Sequence, residues 1–208
     1  MFEKIISLDN LFLAWKEFRK GKGIKKDVLL FENKLEQNIL ELHINLKDGT
    51  YKHAPYEGFF ITDPKLRHVH KATVRDRVLH HAIFKVLNPI FEPRFISTSF
   101  SCQVGKGSHK GVKTVTKILR KVSKNNTVTC YAVKCDVRKF FDSINHETLL
   151  TVLRRDIKDQ RTFNLLTELI MSYPQKTEKA ELERERERER EREYFRFLRQ
   201  LKEYRLAI

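Results

Sequence analysis

One carboxylate, Asp136, stands where a short apolar run ends and an aromatic turn begins: Tyr131-Ala-Val-Lys-Cys-Asp136-Val-Arg-Lys-Phe-Phe141-Asp142-Ser-Ile-Asn-His146. The run from Val128 to Val133 reads as a buried strand. An acid at the exit of a core strand is costly unless something pairs with it. In so basic a chain, a divalent metal is a natural partner. A metal held there beside cationic side chains suits phosphoryl transfer on nucleic acid. The plainer alternative is that Asp136 only turns the chain at a strand end.

The net charge of +15 and a pI near 9.8 call for a polyanionic partner. Nucleic acid fits best, an anionic membrane surface less well. No run approaches the roughly 18 apolar residues of a membrane span, so no membrane partner is expected. Met1-Phe-Glu-Lys-Ile-Ile lacks the apolar core of a signal peptide. Cys102, Cys130 and Cys135 form no Cys-x-x-Cys pair, which points to a reducing cytoplasm without disulfides. His68-x-His70 and His80-His81 lack cysteines at finger-like spacing, so no structural zinc is expected.

The second chemical feature is a stripe of lysines. Lys110, Lys113, Lys117, Lys121 and Lys124 recur at spacings of 3, 4, 4 and 3, which puts them on one face of a helix over about 110–124. Val112, Val115, Leu119 and Val122 fall on the opposite face and are expected to pack. A merely soluble face would interleave acids. From Lys106 to Lys139 there are ten Lys or Arg against one acid, Asp136, giving +9. That density favours contact with a phosphate backbone over an ordinary solvated face.

Other elements must hold these residues in place. Ser7-Leu-Asp-Asn caps a helix over 7–19 that carries Leu11, Phe12, Trp15 and Phe18, and Lys20-Gly-Lys-Gly23 breaks it. Asp27 starts one longer helix with Leu30, Phe31, Leu35, Ile39 and Leu42 on a face, closed by Asp48-Gly49. Tyr56 to Ile61 and Arg67 to Lys71 read as strands about an Asp63-Pro64-Lys65 turn. Asp76 caps a helix through Leu87, stopped by Asn88-Pro89 and Glu92-Pro93. A Ser- and Gly-rich loop spans Ser97 to Gly111, and helices are expected over about 146–155 and 161–172. Glu183 to Glu193 is strict Glu-Arg alternation with no apolar face, read as a charged helix or a disordered tail over 174–193. A GA dinucleotide repeat read in triplets encodes that pattern. Residues 194–208 regain an amphipathic pattern through Phe197, Leu198, Leu201, Tyr204 and Ile208.

Taken together, the central motifs resemble a reverse transcriptase of the bacterial group II intron and diversity-generating retroelement type. Four stretches stand in that family's order. Phe60-Ile-Thr-Asp-Pro-Lys65-Leu-Arg67 resembles the fingers hairpin, and Val74-Arg-Asp-Arg-Val-Leu-His-His81 the first polymerase motif. Ser99-Phe-Ser-Cys-Gln-Val-Gly-Lys-Gly-Ser-His109 resembles the second motif, and Asp136 to His146 the metal-binding motif of the palm.

The resemblance implies roles. Asp136 would hold Mg²⁺, with the carbonyl of Val137 adding a hard oxygen donor. Phe141 matches the steric gate that excludes a ribose 2′-hydroxyl, or else packs in a core. Lys65 and Arg67 match the pair that grips the triphosphate of an incoming dNTP. Arg75 and Arg77 would face template or the fingers core. Gly105, Lys106 and His109 would touch primer or template, beside Lys110, Lys113, Lys117 and Lys121. The implied partners are an RNA template, an RNA/DNA primer duplex and dNTPs.

The implied fold is α+β: a mostly helical fingers region with a β-hairpin over 1–125, then over 126–173 the first part of a palm, an incomplete antiparallel sheet with flanking helices. The family's Gly-x-Pro-x-Gly loop and Tyr-x-Asp-Asp hairpin do not occur, and no two aspartates are adjacent. Two-metal catalysis needs both cations fixed, so the 208 residues are expected to be inactive alone unless another chain supplies the missing palm and thumb. The alternatives are a non-catalytic, maturase-like RNA-binding module and a decayed fragment.

Overall fold

The computed structural model describes residues 1–62, 66–137 and 140–173, with Arg67 and Asp142 described by backbone alone. The expected 63–65 turn, Lys65 itself, Arg138, Lys139 and everything from 174 to 208 lie outside the described residues.

Two short N-terminal helices, α1 (Phe2–Ile6) and α2 (Leu8–Arg19), meet at Ser7, whose hydroxyl accepts from the Asn10 amide and caps α2. Leu11, Ala14, Trp15 and Phe18 recur at i, i+3, i+4 and i+7 and are all buried. Gly21, at φ +69, takes the left-handed conformation that ends the helix.

The single helix expected from Asp27 is two, α3 (Lys26–Glu32) and α4 (Leu35–Lys47). The Asn38 side chain donates to the Phe31 carbonyl at 2.8 Å, tying α4 to the end of α3. A straight helix cannot bury the whole apolar set: Val28, Ile39, Leu42 and Leu46 reach the core, whereas Leu30 remains exposed.

The hairpin forms as expected, from β1 (Glu57–Thr62) and β2 (Leu66–Lys71), antiparallel and in register Glu57↔Lys71 through Thr62↔Leu66. Helix α5 (Val74–Phe91) corrects two expectations. Its N-cap is Thr73, not Asp76, and the two residues bond each other through the Thr73 hydroxyl. The Asp76 amide donates to the Thr73 hydroxyl (3.3 Å), which donates to the Asp76 carboxylate (2.6 Å). The helix also runs through Pro89 to Phe91. A proline near a helix end removes one backbone hydrogen bond, and packing of Leu87, Ile90 and Phe91 on the core outweighs that loss. A single 3-10 turn, Glu92–Arg94, follows.

The core lies among α1, α2, α4 and α5, joined by Ile157, Leu165 and Leu166 from the last part of the chain. Three further helices complete the described residues after α6 (Ser108–Val122): α7 (Phe140–Ser143), α8 (His146–Arg154) and α9 (Gln160–Ser172). Two expectations fail between 97 and 145. The apolar face of α6 does not pack: Val112, Val115, Leu119 and Val122 are all exposed. The run Val128 to Val133 forms no strand, and Tyr131 and Val133 face solvent. A strand needs a neighbour to satisfy its backbone groups, and among the described residues the one sheet is the β1–β2 pair. The described fold is therefore mostly helical with a small antiparallel sheet, consistent with α+β.

Candidate nucleic-acid interface

The hairpin divides the candidate surface into two cavities. The first, about 490 Å³, is walled by His68, Val69 and His70 of β2, Phe140 and Phe141 of α7, and residues of α8 and α9. Asn145 caps α8 by accepting from the Thr148 amide at 2.8 Å, which fixes the exit of the Phe140–Phe141 turn. Phe140 and Phe141 meet edge to face with centroids 5.3 Å apart. Phe141 is 78% exposed, so it is not a core residue in this structure. The structure thus brings Phe141 and β2, far apart in sequence, to one cavity. Arg67 lies on β2 opposite Ile61 by backbone register.

Asp136 and Val137 stand apart from this arrangement, on an exposed segment without regular structure. Among the described residues no three His, Cys, Asp or Glu side chains gather where they could hold a metal. One exposed carboxylate does not make a Mg²⁺ site, because two-metal chemistry needs ions about 4 Å apart. The described donor set does not fit the ion pair that the resemblance implies.

The second cavity, about 710 Å³, lies against Glu57, Phe59, Val69, His70 and Lys71 of the hairpin and Arg77 and His80 of α5, with Lys25, Tyr56, Ala72 and Tyr173 also lining it. Glu57↔Lys71 and Phe59↔Val69 are register partners, so these four share one face of the hairpin. Asp27 ties the cavity wall together. Arg77 Nη2 donates to its Oδ2 at 2.6 Å, and Lys71 Nζ lies 2.9 Å from the same oxygen. Partial burial pushes the Asp27 carboxyl up, but its hydrogen bonds to Lys71 and Arg77 prevail and hold it at about 2.

Arg75 turns towards the body instead. It donates to the Lys52 carbonyl (2.7 Å) and to Asp76 (3.2 Å) and lies over the Tyr51 ring. Asp76 is fully buried and accepts from the Tyr51 hydroxyl (2.8 Å), the Thr73 hydroxyl and the Ala54 amide. Burial raises its pKa, but the Thr73 and Tyr51 hydrogen bonds and the Arg75 charge leave it below the ordinary value. The same burial, with the Asp76 charge, pushes the Tyr51 hydroxyl up.

A chain of rings joins hairpin to body. His80 stacks on His53 (5.4 Å), His53 on Tyr56 (4.7 Å), Tyr56 meets Tyr173 edge-on (5.4 Å), and Tyr173 meets His70 (5.6 Å). Burial, then the neighbouring His53, lowers His80 to about 4, so it is neutral at pH 7.

The remaining expected contacts sit elsewhere. Gly105 and Gly107 have φ of +71 and +113, conformations that favour glycine, and they shape the turn into α6. Lys106 reaches the Ser97 carbonyl and Lys110 the Gly105 carbonyl, each at 3.4 Å. His109, Lys113, Lys117 and Lys121 are exposed along α6, and none of these residues lines either cavity. The sequence reading missed Asp27, whose partners lie 44 and 50 residues away, and the ring chain, whose members come from four elements or loops. The adjacent cations Arg75 and Arg77 were the one local signal.

No family model matches the chain. It is similar to the group II intron-encoded protein LtrA of Lactococcus lactis subsp. cremoris, with 23% identity over 176 residues, 82% of this chain and 28% of the relative. Protein YkfC of Escherichia coli K12 is 27% identical over 150 residues, 71% of this chain and 38% of the relative. Nuclear intron maturase 2, mitochondrial, of Arabidopsis thaliana is 23% identical over 161 residues, 70% of this chain and 21% of the relative. The chain thus spans between about a fifth and two fifths of these relatives' lengths. These sequence matches show distant homology to group II intron-encoded proteins and intron maturases.

Proposed function

We propose that these residues form the RNA- and nucleotide-facing front part of a reverse transcriptase–maturase, and that RNA is their partner. The observation that carries the reading is the shared cavity of β2 and Phe141 in a chain distantly homologous to intron-encoded proteins. There Phe141 would gate the sugar of a dNTP, and Lys65 with Arg67 would meet its triphosphate. Asp136, with the Val137 carbonyl, would contribute one side of a Mg²⁺ site whose other carboxylates come from outside the described residues. The lysine face of α6, beside Gly105, Lys106 and His109, would follow an RNA or primer–template backbone, because nothing acidic pairs with those lysines among the described residues.

On this reading the 208-residue chain binds RNA in a salt-dependent way but does not extend a primer. For five phosphate contacts, log K against log salt falls with a slope of roughly −3.5 on single-stranded and −4.5 on duplex stretches. Fluorescence anisotropy with a structured RNA, beside primer extension with dNTPs and Mg²⁺, tests both halves. No binding at about 50 mM salt, where phosphate contacts are strong, would sink the RNA reading. Extension abolished by Asp136→Ala would show that the chain is a polymerase unaided. The maturase-like reading is favoured by the lysine face of α6, since holding intron RNA calls for cations along a backbone rather than a metal site.

A further inference from the structure

Asp27 occupies the position an anion would take. Its Oδ2 receives Arg77 of α5 at 2.6 Å and Lys71 of β2 at 2.9 Å, so one carboxylate oxygen meets two cations from two elements. Glu57 is a weaker second neighbour of Lys71, at 3.7 Å. Lys25, just before α3, lines the same cavity and has no acid within ion-pair distance among the described residues. Tyr56, Phe59 and Tyr173 add aromatic walls. Three cations beside three rings, in about 710 Å³, is the donor set of a phosphodiester with an unpaired base: cations for the phosphate, ring faces for the base.

We propose that Asp27 is an internal competitor for RNA phosphate at the Lys71–Arg77 pair. In the RNA-free protein its carboxylate holds both cations. A phosphate of single-stranded RNA, with its base against Tyr56 and Phe59, takes them over. The displaced carboxylate is already 32% exposed and re-enters water still charged. Because Asp27 is tethered on α3, it competes at high effective concentration. An isolated phosphate loses that competition; a polymer with further contacts along the surface wins it. The proposal rests on the RNA-binding reading above.

The test is anisotropy with a fluorescein-labelled single-stranded RNA of about 20 nucleotides, long enough for several phosphate contacts, across a salt series. Asp27→Asn is expected to bind about 5-fold tighter, because the phosphate no longer has to displace a tethered carboxylate. The control is Glu41→Gln, which removes an exposed acid of α4 and raises net charge equally; it is expected to change affinity less than 2-fold. Asp27→Ser is expected to match Asp27→Asn. Binding by the unaltered protein that Asp27→Asn leaves at the control level, or weakens, overturns the proposal alone. No binding by either protein overturns the RNA reading and the proposal with it. If both Asp27 variants unfold, the ¹³C carboxyl resonance of Asp27 in the unaltered protein decides: it is expected to shift on RNA addition, and an unmoved resonance overturns the proposal.

Discussion

Residues 1–96 and residues 97–145 have similar sequence patterns and opposite fates. The first stretch supplies most of the core, from Phe2 to Leu87. In the second, Ser123 is the one buried residue among those described. Yet α6 separates lysines from valines and leucines at least as cleanly as α2 separates its faces. Amphipathicity therefore reports which face would gain from burial, not whether a cover exists. Helix α2 has its cover in the chain itself, because α5 lies across it. The apolar face of α6 has none among the described residues.

The largest effect that tests this contrast is a cavity in the body. Phe18 is fully buried, with Trp15 beside it and Arg77 and Lys22 over its ring. Phe18→Ala is expected to cost about 3–5 kcal/mol and to lower the melting temperature by more than any change in 97–145. A loss no larger than that of an α6 variant would abolish the contrast.

Next comes Asp76. Replacing it with Ala leaves the Tyr51 hydroxyl, the Ala54 amide and the Arg75 guanidinium without their shared acceptor. The expected cost is about 3 kcal/mol, read by urea unfolding. Its folded pKa lies below the ordinary aspartate value. The unfolded chain therefore takes up the proton first on acidification. The contribution is complete well above pH 4 and is lost as pH falls through the folded value.

His80 gives a third, pH-resolved test on the ring chain. Its folded pKa is about 4 against 6.5 when unfolded, so between those values the unfolded chain binds the extra proton. Stability is complete above about pH 6.5 and declines on acidification towards pH 4, by on the order of 2 kcal/mol. His80→Phe keeps a ring against His53 and removes the titration. Its melting temperature is expected to fall less between pH 7 and 5 than that of the unaltered protein. An identical pH dependence would show that His80 is not the group responsible.

How much of this was legible follows from how local each feature is. The Ser7 cap, the Asp48–Gly49 turn and the two strands of the hairpin depend on neighbours a few residues away, and those readings agree with the structure. Pro89 misled because a local rule about helix breaking was outweighed by the packing of Ile90 and Phe91. The Val128 to Val133 run misled for the opposite reason. Its composition suits a strand, but strand formation depends on a partner that no short window contains. Of the candidate site, motif order pointed to Phe141, Lys65 and Arg67; Phe141 shares a cavity with His68, Val69 and His70 of β2, while Lys65 lies outside the described residues. Asp27 was read only as a helix start, because nothing in sequence spacing announces an ion pair across 50 residues.

The smallest expected effect sharpens the comparison most. Leu119 on α6 is the least exposed of its apolar stripe, at 39%. Truncating it removes little that the folded chain shelters, so Leu119→Ala is expected to cost under about 0.5 kcal/mol. Alanine is the better helix former, which offsets part even of that. The expectation changes if something covers the stripe. A buried leucine truncated to alanine loses about 2–5 kcal/mol, and the covering segment would lose its seat as well. Thermal melts of Leu119→Ala and the unaltered protein, at two concentrations about 50-fold apart, separate the cases by mass action. Equal melting at both concentrations keeps α6 an uncovered helix in this chain. A penalty that appears only in the concentrated sample would mean that a second copy covers it. A large penalty at both would mean that the chain's own residues do, and the contrast between the two regions would then be one of described residues rather than of packing.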